Sequence, residues 1–343
     1  MNKISTSLTS LFLLLALSAQ AQVFPVALNN GNKLFFNVID KSAKQVEVVQ
    51  PGSMVGASLS LPKGSLNIPG SVTYKGVSYQ VVSIHEKAFE KAEGLTYVSI
   101  PSSVRKIGAR AFSGCTKLEG VVFPSSETTI GDKAFEGCTS LNSLSFGSEW
   151  RAIDLAIFSD SKALTSVRIP ARVSKLSHIK SLKALKRIDV DGNNPAFSSF
   201  DGVLYSHDGK TLYACPSARD RVLNIPGGTE QIMEGAFGGC TDLRYISLPS
   251  TLHSFSYLEF AQCSDLKELA ILAEMPPITA KWNGAPVFSI RKPNKDLSVS
   301  VPSSSLKRYL SAVCDKGGTY ENMDGKQKEQ FTKDGFLRKK DIK

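Results

Sequence analysis

Residues 107–124 read IGARAFSGCTKLEGVVFP, and residues 130–146 repeat the pattern as IGDKAFEGCTSLNSLSF. An alignment of the chain at a period of 23 residues superposes Ile84, Ile107, Ile130 and Ile153. The same phase returns at residues 232–249 and 255–271. Self-similarity at such a period is typical of a solenoid, in which stacked copies share one elongated apolar core. The sequence therefore predicts six copies of one supersecondary unit.

Each copy contains a turn segment and a strand segment. The segment A-F-x-G-C is too short for an independent helix, so we expect one or two helical or 3₁₀ turns that direct the phenylalanine inward. The segment L-x-x-[VLI]-x-[ILF]-P alternates as a half-buried strand does, and its proline ends the strand because it has no N–H to donate. Since apolar residues flank each phenylalanine, we expect a buried column and not a ligand-binding stripe of Phe89, Phe112, Phe135, Phe158, Phe237 and Phe260.

At these residues the chain resembles the BspA-like leucine-rich-repeat family, whose repeats read approximately IGxxAFxGCxxLxx[IV]x[IL]P. The resemblance implies a curved, right-handed leucine-rich-repeat solenoid over residues 81–275, with a β-strand and a short helical or 3₁₀ turn in each repeat. One copy departs from the pattern. The copy that begins at Val173 is two residues short and has Lys180-Ser181 in place of Ala-Phe, which predicts a rebuilt or loosely packed convex side.

An insertion follows the shortened copy. Residues 193–215 contain two apolar runs joined by Asp208-Gly209, which is the signature of a β-hairpin. Such a hairpin insertion also resembles a recurrent feature of the same family.

Both flanks of the repeats predict caps, because a solenoid must cover its open ends. Residues 22–80 alternate as strands do and predict an N-terminal β cap. Residues 276–315 predict a strand and a helix, with Ser303–Ser305 supplying the N-cap and the apolar face formed by Leu306, Tyr309, Leu310 and Val313. Residues 316–343 predict a polar, basic and solvated tail.

Residues 1–21 predict a secretory signal peptide. Lys3 provides a positive start, the run at 8–19 is apolar, and Ala19-Gln20-Ala21 provides small residues for cleavage before Gln22. The alternative is a membrane-spanning helix, but the run of 12 residues is shorter than the ~20 that a span requires. We therefore expect an exported protein that is secreted, periplasmic or held at the cell surface, and that does not span the membrane.

The cysteines follow the repeat. Cys115 and Cys138 are 23 residues apart, as are Cys240 and Cys263, so all four occupy one slot where a solenoid needs a small apolar residue. Free buried thiols are the favoured interpretation. A disulfide between slot neighbours is the alternative, because strands in adjacent repeats lie within disulfide reach.

The sequence offers no catalytic constellation. His85, His178, His207 and His253 occur outside any zinc-binding or zinc-protease motif, and neither a nucleophile elbow nor a phosphate-binding loop is present. Asp189 and Asp191 do not predict glycosidase chemistry, because two aspartates separated by one residue near a strand end often occur by chance. We therefore expect a noncatalytic protein with no cofactor and no metal; an enzyme that acts through unplaced loops is the rival hypothesis.

The outward positions of the predicted strands form the candidate binding face, which comprises Tyr97, Ser99, Val122, Ser143, Ser145, Ser166, Arg168, Arg187, Asp189, Tyr245, Ser247 and Glu268, with Gly120 and Ala270 between them. The leading hypothesis is adhesion to, or binding of, an extracellular or cell-surface protein, including one of a host. The alternative is a carbohydrate that stacks on Tyr97, Tyr205, Tyr213 or Tyr245. A solvated face without a ligand is the simplest interpretation. Nucleic acid is not expected despite the net charge of +10, because the protein is exported.

Overall fold

The structure is a computed structural model that describes residues 22–50, 61–282, 285–288, 290–312 and 341–343. The expected signal peptide and most of the expected tail lie outside these residues. The described residues form two compact units, the first within residues 1–151 and 157–163 and the second within residues 152–156 and 164–343. Within the described ranges, no helix is long and apolar enough to cross a membrane.

The first unit contains two sheets, whose strands we number in chain order. One sheet comprises β1 (Gln22–Ala27), β2 (Lys33–Asp40), β3 (Gln45–Val49), β5 (Ser71–Tyr74), β6 (Val77–Ile84), β8 (Lys106–Ile107) and β10 (Thr129–Ile130). The other comprises β4 (Gly64–Asn67), β7 (Leu95–Ser99), β9 (Gly120–Val122) and β11 (Ser143–Ser145), all parallel. The first three strands are antiparallel, and β3 then pairs in parallel with β6. Strands therefore occupy much of residues 22–50 and 61–80, and their role as a cap stays a prediction.

The second unit is also built from short strands. Two parallel pairs join β12 (Ala152–Asp154) to β14 (Lys175–Ser177), and β13 (Ser166–Ile169) to β15 (Arg187–Val190). A four-stranded parallel sheet comprises β19 (Val222–Asn224), β21 (Tyr245–Leu248), β22 (Glu268–Ile271) and β25 (Ser298–Ser300). The remaining strands are β16 (Phe197–Phe200), β17 (Val203–Ser206), β18 (Thr211–Ala214), β20 (Gln231–Ile232), β23 (Ala280–Trp282) and β24 (Ala285–Val287).

The pairing register follows the repeat. Tyr97 lies opposite Gly120, which lies opposite Ser143, and the three residues are spaced 23 apart in the sequence. Tyr245 lies opposite Glu268 at the same spacing. Equivalent residues of consecutive repeats therefore stand side by side, which confirms the predicted leucine-rich-repeat solenoid.

The phenylalanines of the repeat are fully buried and stacked. In the first unit the ring centroids of Phe89, Phe112, Phe135 and Phe158 follow one another at 5.0, 5.2 and 5.3 Å. In the second unit those of Phe237 and Phe260 are 5.1 Å apart. Each unit therefore contains a stack of its own, and Lys180-Ser181 stands in the Ala-Phe slot of the shortened copy that follows Phe158 in the sequence. Each buried ring contributes roughly 1.5–3 kcal/mol by its removal from water.

The turn segments of the first unit differ from the expected helical turns. Lys87 and Lys91 have left-handed φ angles of 58° and 60°, which interrupt a helix. The amide of Phe89 donates to the carbonyl of Ala111 at 2.7 Å, and that of Phe112 donates to Ala134 at 2.8 Å. Backbone hydrogen bonds between repeats thus alternate with single 3₁₀-type bonds inside the turn, such as that from the amide of Glu90 to the carbonyl of Lys87 at 3.1 Å. Among the described residues, 3₁₀ helices form at Leu155–Phe158, Ile179–Ser181 and Ser303–Ser305.

The insertion contains the expected antiparallel pair, formed by β17 and β18, and a further strand, β16, that pairs with β17. Asn194 fixes the start of the insertion. Its fully buried side-chain amide donates to the carbonyls of Pro170 and Val173 at 2.8 Å each, while its oxygen accepts from the amides of Ala196 and Phe197. Strand β18 then pairs in parallel with β20, so the hairpin becomes part of the next repeat.

The helix α1 (Leu306–Ala312) begins differently from the expectation. Serine side chains make no capping hydrogen bond, because the chain enters through the 3₁₀ turn at Ser303–Ser305, which the amide of Ser305 closes on the carbonyl of Pro302. Tyr309 is fully buried, and its hydroxyl donates to the carbonyl of Ala273 at 2.8 Å. Val313, which was expected on the same face, lies outside the described residues.

Candidate binding faces

The sheet of β4, β7, β9 and β11 presents two rows of outward residues in the first unit. Ser65, Tyr97, Gly120 and Ser143 form one row, and Asn67, Ser99, Val122 and Ser145 form the other. Tyr97 and Val122 are 46% and 48% exposed, although side chains of this kind are usually covered. All five expected residues of this unit therefore lie on one face.

Tyr97 is held flat against the sheet. A Cβ atom on Gly120 would lie 2.6 Å from two ring carbons of Tyr97, so the glycine is required for the ring to occupy its place. The neighbouring carboxylate of Glu119 raises the pKa of Tyr97, through its interaction with the hydroxyl and through its negative charge. The result is a fixed, half-exposed aromatic ring beside Val122.

The pair of β13 and β15 presents charges that neutralise one another. Ser166 lies opposite Arg187, and Arg168 lies opposite Asp189. Arg187 donates to both carboxylate oxygens of Asp189 at 2.7–3.0 Å, and Asp189 raises the pKa of Arg187. Arg168 pairs with Asp191 at 3.3 Å; the Asn193 amide and the Arg168 guanidinium together lower the pKa of Asp191. The two arginines are therefore not a free anion site.

The four-stranded sheet of the second unit presents Val222, Tyr245, Glu268 and Ser298 in one row. Val222 and Glu268 are exposed, and Tyr245 is half-buried. Ser247, which the sequence placed on the face, is only 9% exposed, and its neighbour Ala270 is buried as well. These two residues contribute little to any surface that a partner could reach.

Three strands belong to these faces although we did not assign them to the repeats from the sequence. Residues 66–69 read LNIP, residues 223–226 read LNIP and residues 299–302 read VSVP, so each carries the strand signature of the repeat. They add Ser65 and Asn67, Val222 and Asn224, and Ser298 and Ser300 to the outward positions. The signal was present, but residues 66–69 and 299–302 stood inside segments that we interpreted as caps, and residues 223–226 followed the hairpin insertion.

The tyrosines expected to stack on a carbohydrate have different environments. Tyr205 is fully buried in the core of the second unit and cannot present a ring face, which corrects that part of the prediction. Burial raises the pKa of Tyr205 for the same reason. Tyr213 is half-buried and packs edge-on against Phe197. Tyr97 is the most exposed of the four.

The five cysteines that the structure describes are free and buried, so the disulfide alternative is wrong for them. The thiol of Cys115 donates to the carbonyl of Phe89 at 3.2 Å, and that of Cys138 donates to Phe112 at the same distance. Burial raises the pKa of the Cys263 thiol, which keeps it protonated. These side chains act as core residues that satisfy a backbone carbonyl of the preceding repeat.

Catalytic groups do not converge in the parts of the chain that the structure describes. His178 bonds to Asp154 at 2.8 Å, but the described ranges contain no cluster of metal-ligating side chains. A groove of about 590 Å³ in the second unit includes Ser250, His253 and Glu274 in its lining. No hydrogen bond or ion pair joins these three described residues, so the arrangement lacks the linked nucleophile and base that acyl transfer requires.

A leucine-rich-repeat solenoid with outward strand faces is the class of protein that these features define. Six copies of the BspA type leucine rich repeat region match residues 70–186 and 210–283. Because these ranges cover more than half of the chain, the chain belongs to the BspA type leucine-rich-repeat family.

Several solved structures are similar to this chain. The pneumococcal vaccine antigen PcpA has 19% identity over 86% of this chain and 98% of that one, with a TM-score of 0.48. A leucine-rich repeat protein from Bacteroides ovatus has 21% identity over 82% and 80%, with a TM-score of 0.40. A leucine rich cell surface protein from Faecalibacterium prausnitzii has 19% identity over 86% and 98%, with a TM-score of 0.35. No curated protein matches the chain.

Proposed function

We propose that the chain is an exported, noncatalytic adhesion or binding protein of the bacterial cell surface, and that the strand face of its first unit holds an extracellular or cell-surface protein. The observation that carries the proposal is the exposed pair formed by Tyr97 and Val122 on a sheet that otherwise presents small residues. The repeat family supports a binding scaffold as the setting for this surface.

The surroundings of Tyr97 favour a protein partner. A tyrosine ring that already lies close over Gly120 loses little conformational freedom on binding, which is a property of interface hot spots. Serine and asparagine side chains around it can form hydrogen bonds with the backbone of an extended segment. Because the two outward rows of this face carry no charged side chain, we expect only a weak dependence of the affinity on salt.

Two matched variants test the proposal. Val122→Ser changes the face, while Ile39→Ser changes a side chain of similar exposure, 46% against 48%, on β2 of the other sheet. Full-length protein of each type is used to capture ligands from cell-surface extracts. We expect the same ligands with the wild type and Ile39→Ser, and a loss of at least tenfold in recovery with Val122→Ser. Equal recovery with both variants would reject the face.

Carbohydrate binding is the second candidate, and the flat, half-exposed ring of Tyr97 favours it because a sugar can stack on such a surface. A glycan array separates the two candidates. Stacking predicts that Tyr97→Ala abolishes glycan binding and that Val122→Ser preserves it. An array that stays blank while protein ligands are captured removes the carbohydrate alternative.

Export is tested independently of the ligand. Cleavage of the signal peptide at residues 1–21 predicts that the mature protein begins at Gln22, which amino-terminal sequencing of exported protein can determine. A mature chain that retains Met1 would contradict this part of the proposal.

A further inference from the structure

The final three residues of the chain lie against the open edge of β25. The amide of Lys343 donates to the carbonyl of Val299 at 2.9 Å, and the amide of Val301 donates to the carbonyl of Lys343 at 3.1 Å. Ile342 forms a parallel β-bridge with Val299. Asp341–Lys343 therefore adds one short strand to the sheet of β19, β21, β22 and β25, whereas the sequence predicted a solvated tail here.

The side chains of this short strand have distinct surroundings. Ile342 is 7% exposed and belongs to the apolar cluster that includes Ile290, Leu297 and Val299. The carboxylate of Asp341 pairs with the ammonium group of Lys292 at 3.1 Å, and both side chains are nearly covered, at 13% and 12% exposure. Lys343 is exposed and contributes backbone groups. The edge therefore accommodates an acidic residue and then an aliphatic one, and leaves the third side chain exposed.

We propose that the edge of β25 is a binding site for an extended peptide of the sequence acidic, aliphatic, any residue, and that Asp341–Lys343 is its resident occupant. Addition of a strand to a sheet edge is an established mode of peptide recognition, in which main-chain hydrogen bonds give affinity and side-chain sites give specificity. The site itself is built by residues 290–301, and residues 313–340 connect α1 to its occupant. The same segment of a second copy therefore satisfies the edge when the resident one is withdrawn. This inference does not depend on the strand face of the first unit.

Hydrogen exchange in the full chain tests whether the site is occupied. The Val301 amide reports the site directly because it donates to Lys343. We expect slow exchange at Val301 in the wild type and at least tenfold faster exchange in Ile342→Asp. Lys343→Ala is the matched control, which should retain protection because only its backbone takes part. Equal exchange in the wild type and Ile342→Asp would overturn the proposal.

Peptide binding tests whether the vacated edge accepts a ligand. The probe is a labelled peptide of residues 339–343, KKDIK, whose binding to full-length protein is followed by fluorescence anisotropy. We expect at least tenfold tighter binding to the Ile342→Asp protein than to the wild type, whose own segment competes at high effective concentration. A peptide with Asp in place of Ile should not bind. Equal affinity for the two proteins, or for the two peptides, would contradict the site.

A charge exchange tests the acidic preference without vacating the apolar site. Lys292→Glu should accelerate exchange at Val301 at least fivefold, and the double variant Lys292→Glu with Asp341→Lys should restore protection. If the double variant exchanges as fast as the single one, the selectivity that we assign to this edge is wrong. Val122→Ser should leave the exchange rate of the Val301 amide unchanged. The proposed binding face of the first unit and the proposed peptide site at β25 can therefore be rejected independently of each other.

Discussion

The carboxylate of Glu259 accepts a hydrogen bond from the backbone amide of Phe237 at 2.8 Å, while its second oxygen accepts one from Gly235 at 2.7 Å. In the first unit the corresponding amides donate to backbone carbonyls of the next repeat, as Phe89 does to Ala111. Glu259 stands in the alanine slot of its repeat and is only 3% exposed. A buried side chain thus replaces two backbone acceptors at this junction.

Glu259→Ala should destabilise the protein, even though alanine is the usual residue of this slot. The change leaves the buried amide of Phe237 and the partly buried amide of Gly235 without an acceptor, which costs on the order of 3 kcal/mol. Urea unfolding of full-length protein measures the difference. Leu258→Ala, at the exposed neighbouring position, should change the free energy of unfolding by less than about 1 kcal/mol. A similar decrease in the free energy of unfolding in both variants would show that the two hydrogen bonds contribute little to stability.

The same residue predicts a dependence on pH. Burial raises the pKa of Glu259 in the folded state, against the lowering effects of the two amides and of Lys180. A raised folded-state pKa means that the stability contributed by Glu259 is complete below its ordinary value of 4.5 and is lost as the pH rises through the folded value. The gap in unfolding free energy between the wild type and Glu259→Gln should therefore narrow as the pH increases from 4 towards 7. If this difference in unfolding free energy increased with pH, the pKa of Glu259 would be lowered in the folded state and the prediction would be wrong.

Gly108→Ala should be strongly destabilising because a Cβ atom there would lie 2.4 Å from the backbone nitrogen of Glu86 in the preceding repeat. Backbone cannot move aside as a flexible side chain can, so we expect a loss of about 3 kcal/mol. Gly192→Ala is the control, since no atom lies within 4 Å of its Cβ position. It should be neutral or stabilising by up to about 1 kcal/mol. Thermal unfolding of the two variants compares them, and equal effects would contradict the close stacking of the repeats.

The described thiols should be inert in the native protein, because all five are buried and three donate to phenylalanine carbonyls. In a Cys314→Ser background we expect no reaction with a thiol reagent before unfolding and five equivalents afterwards. Rapid native labelling of any of the five would show that the core is open at that repeat.

The repeat in the sequence predicted the solenoid because its period fixes which residues stand side by side. It also predicted the buried phenylalanines, because each one lies between apolar neighbours in a fixed slot. The left-handed backbone conformation in the turn segments was not predictable from the sequence. Lys87, Lys91 and Arg110 adopt positive φ angles, and a glycine is the residue that would have indicated such a conformation at these positions. The support of Tyr97 by Gly120 was missed because it joins residues of different repeats.

Side-by-side packing of residues spaced 23 apart is the claim on which the faces and the core depend, and engineered disulfides test it most directly. Ser99, Val122 and Ser145 lie in one row of adjacent parallel strands, and neighbouring strands are about 4.8 Å apart. The pair Val122→Cys with Ser145→Cys should oxidise to a disulfide, while Ser99→Cys with Ser145→Cys, two strands apart, should not. Failure of the first pair, or equal bridging by the second, would contradict the stacked register.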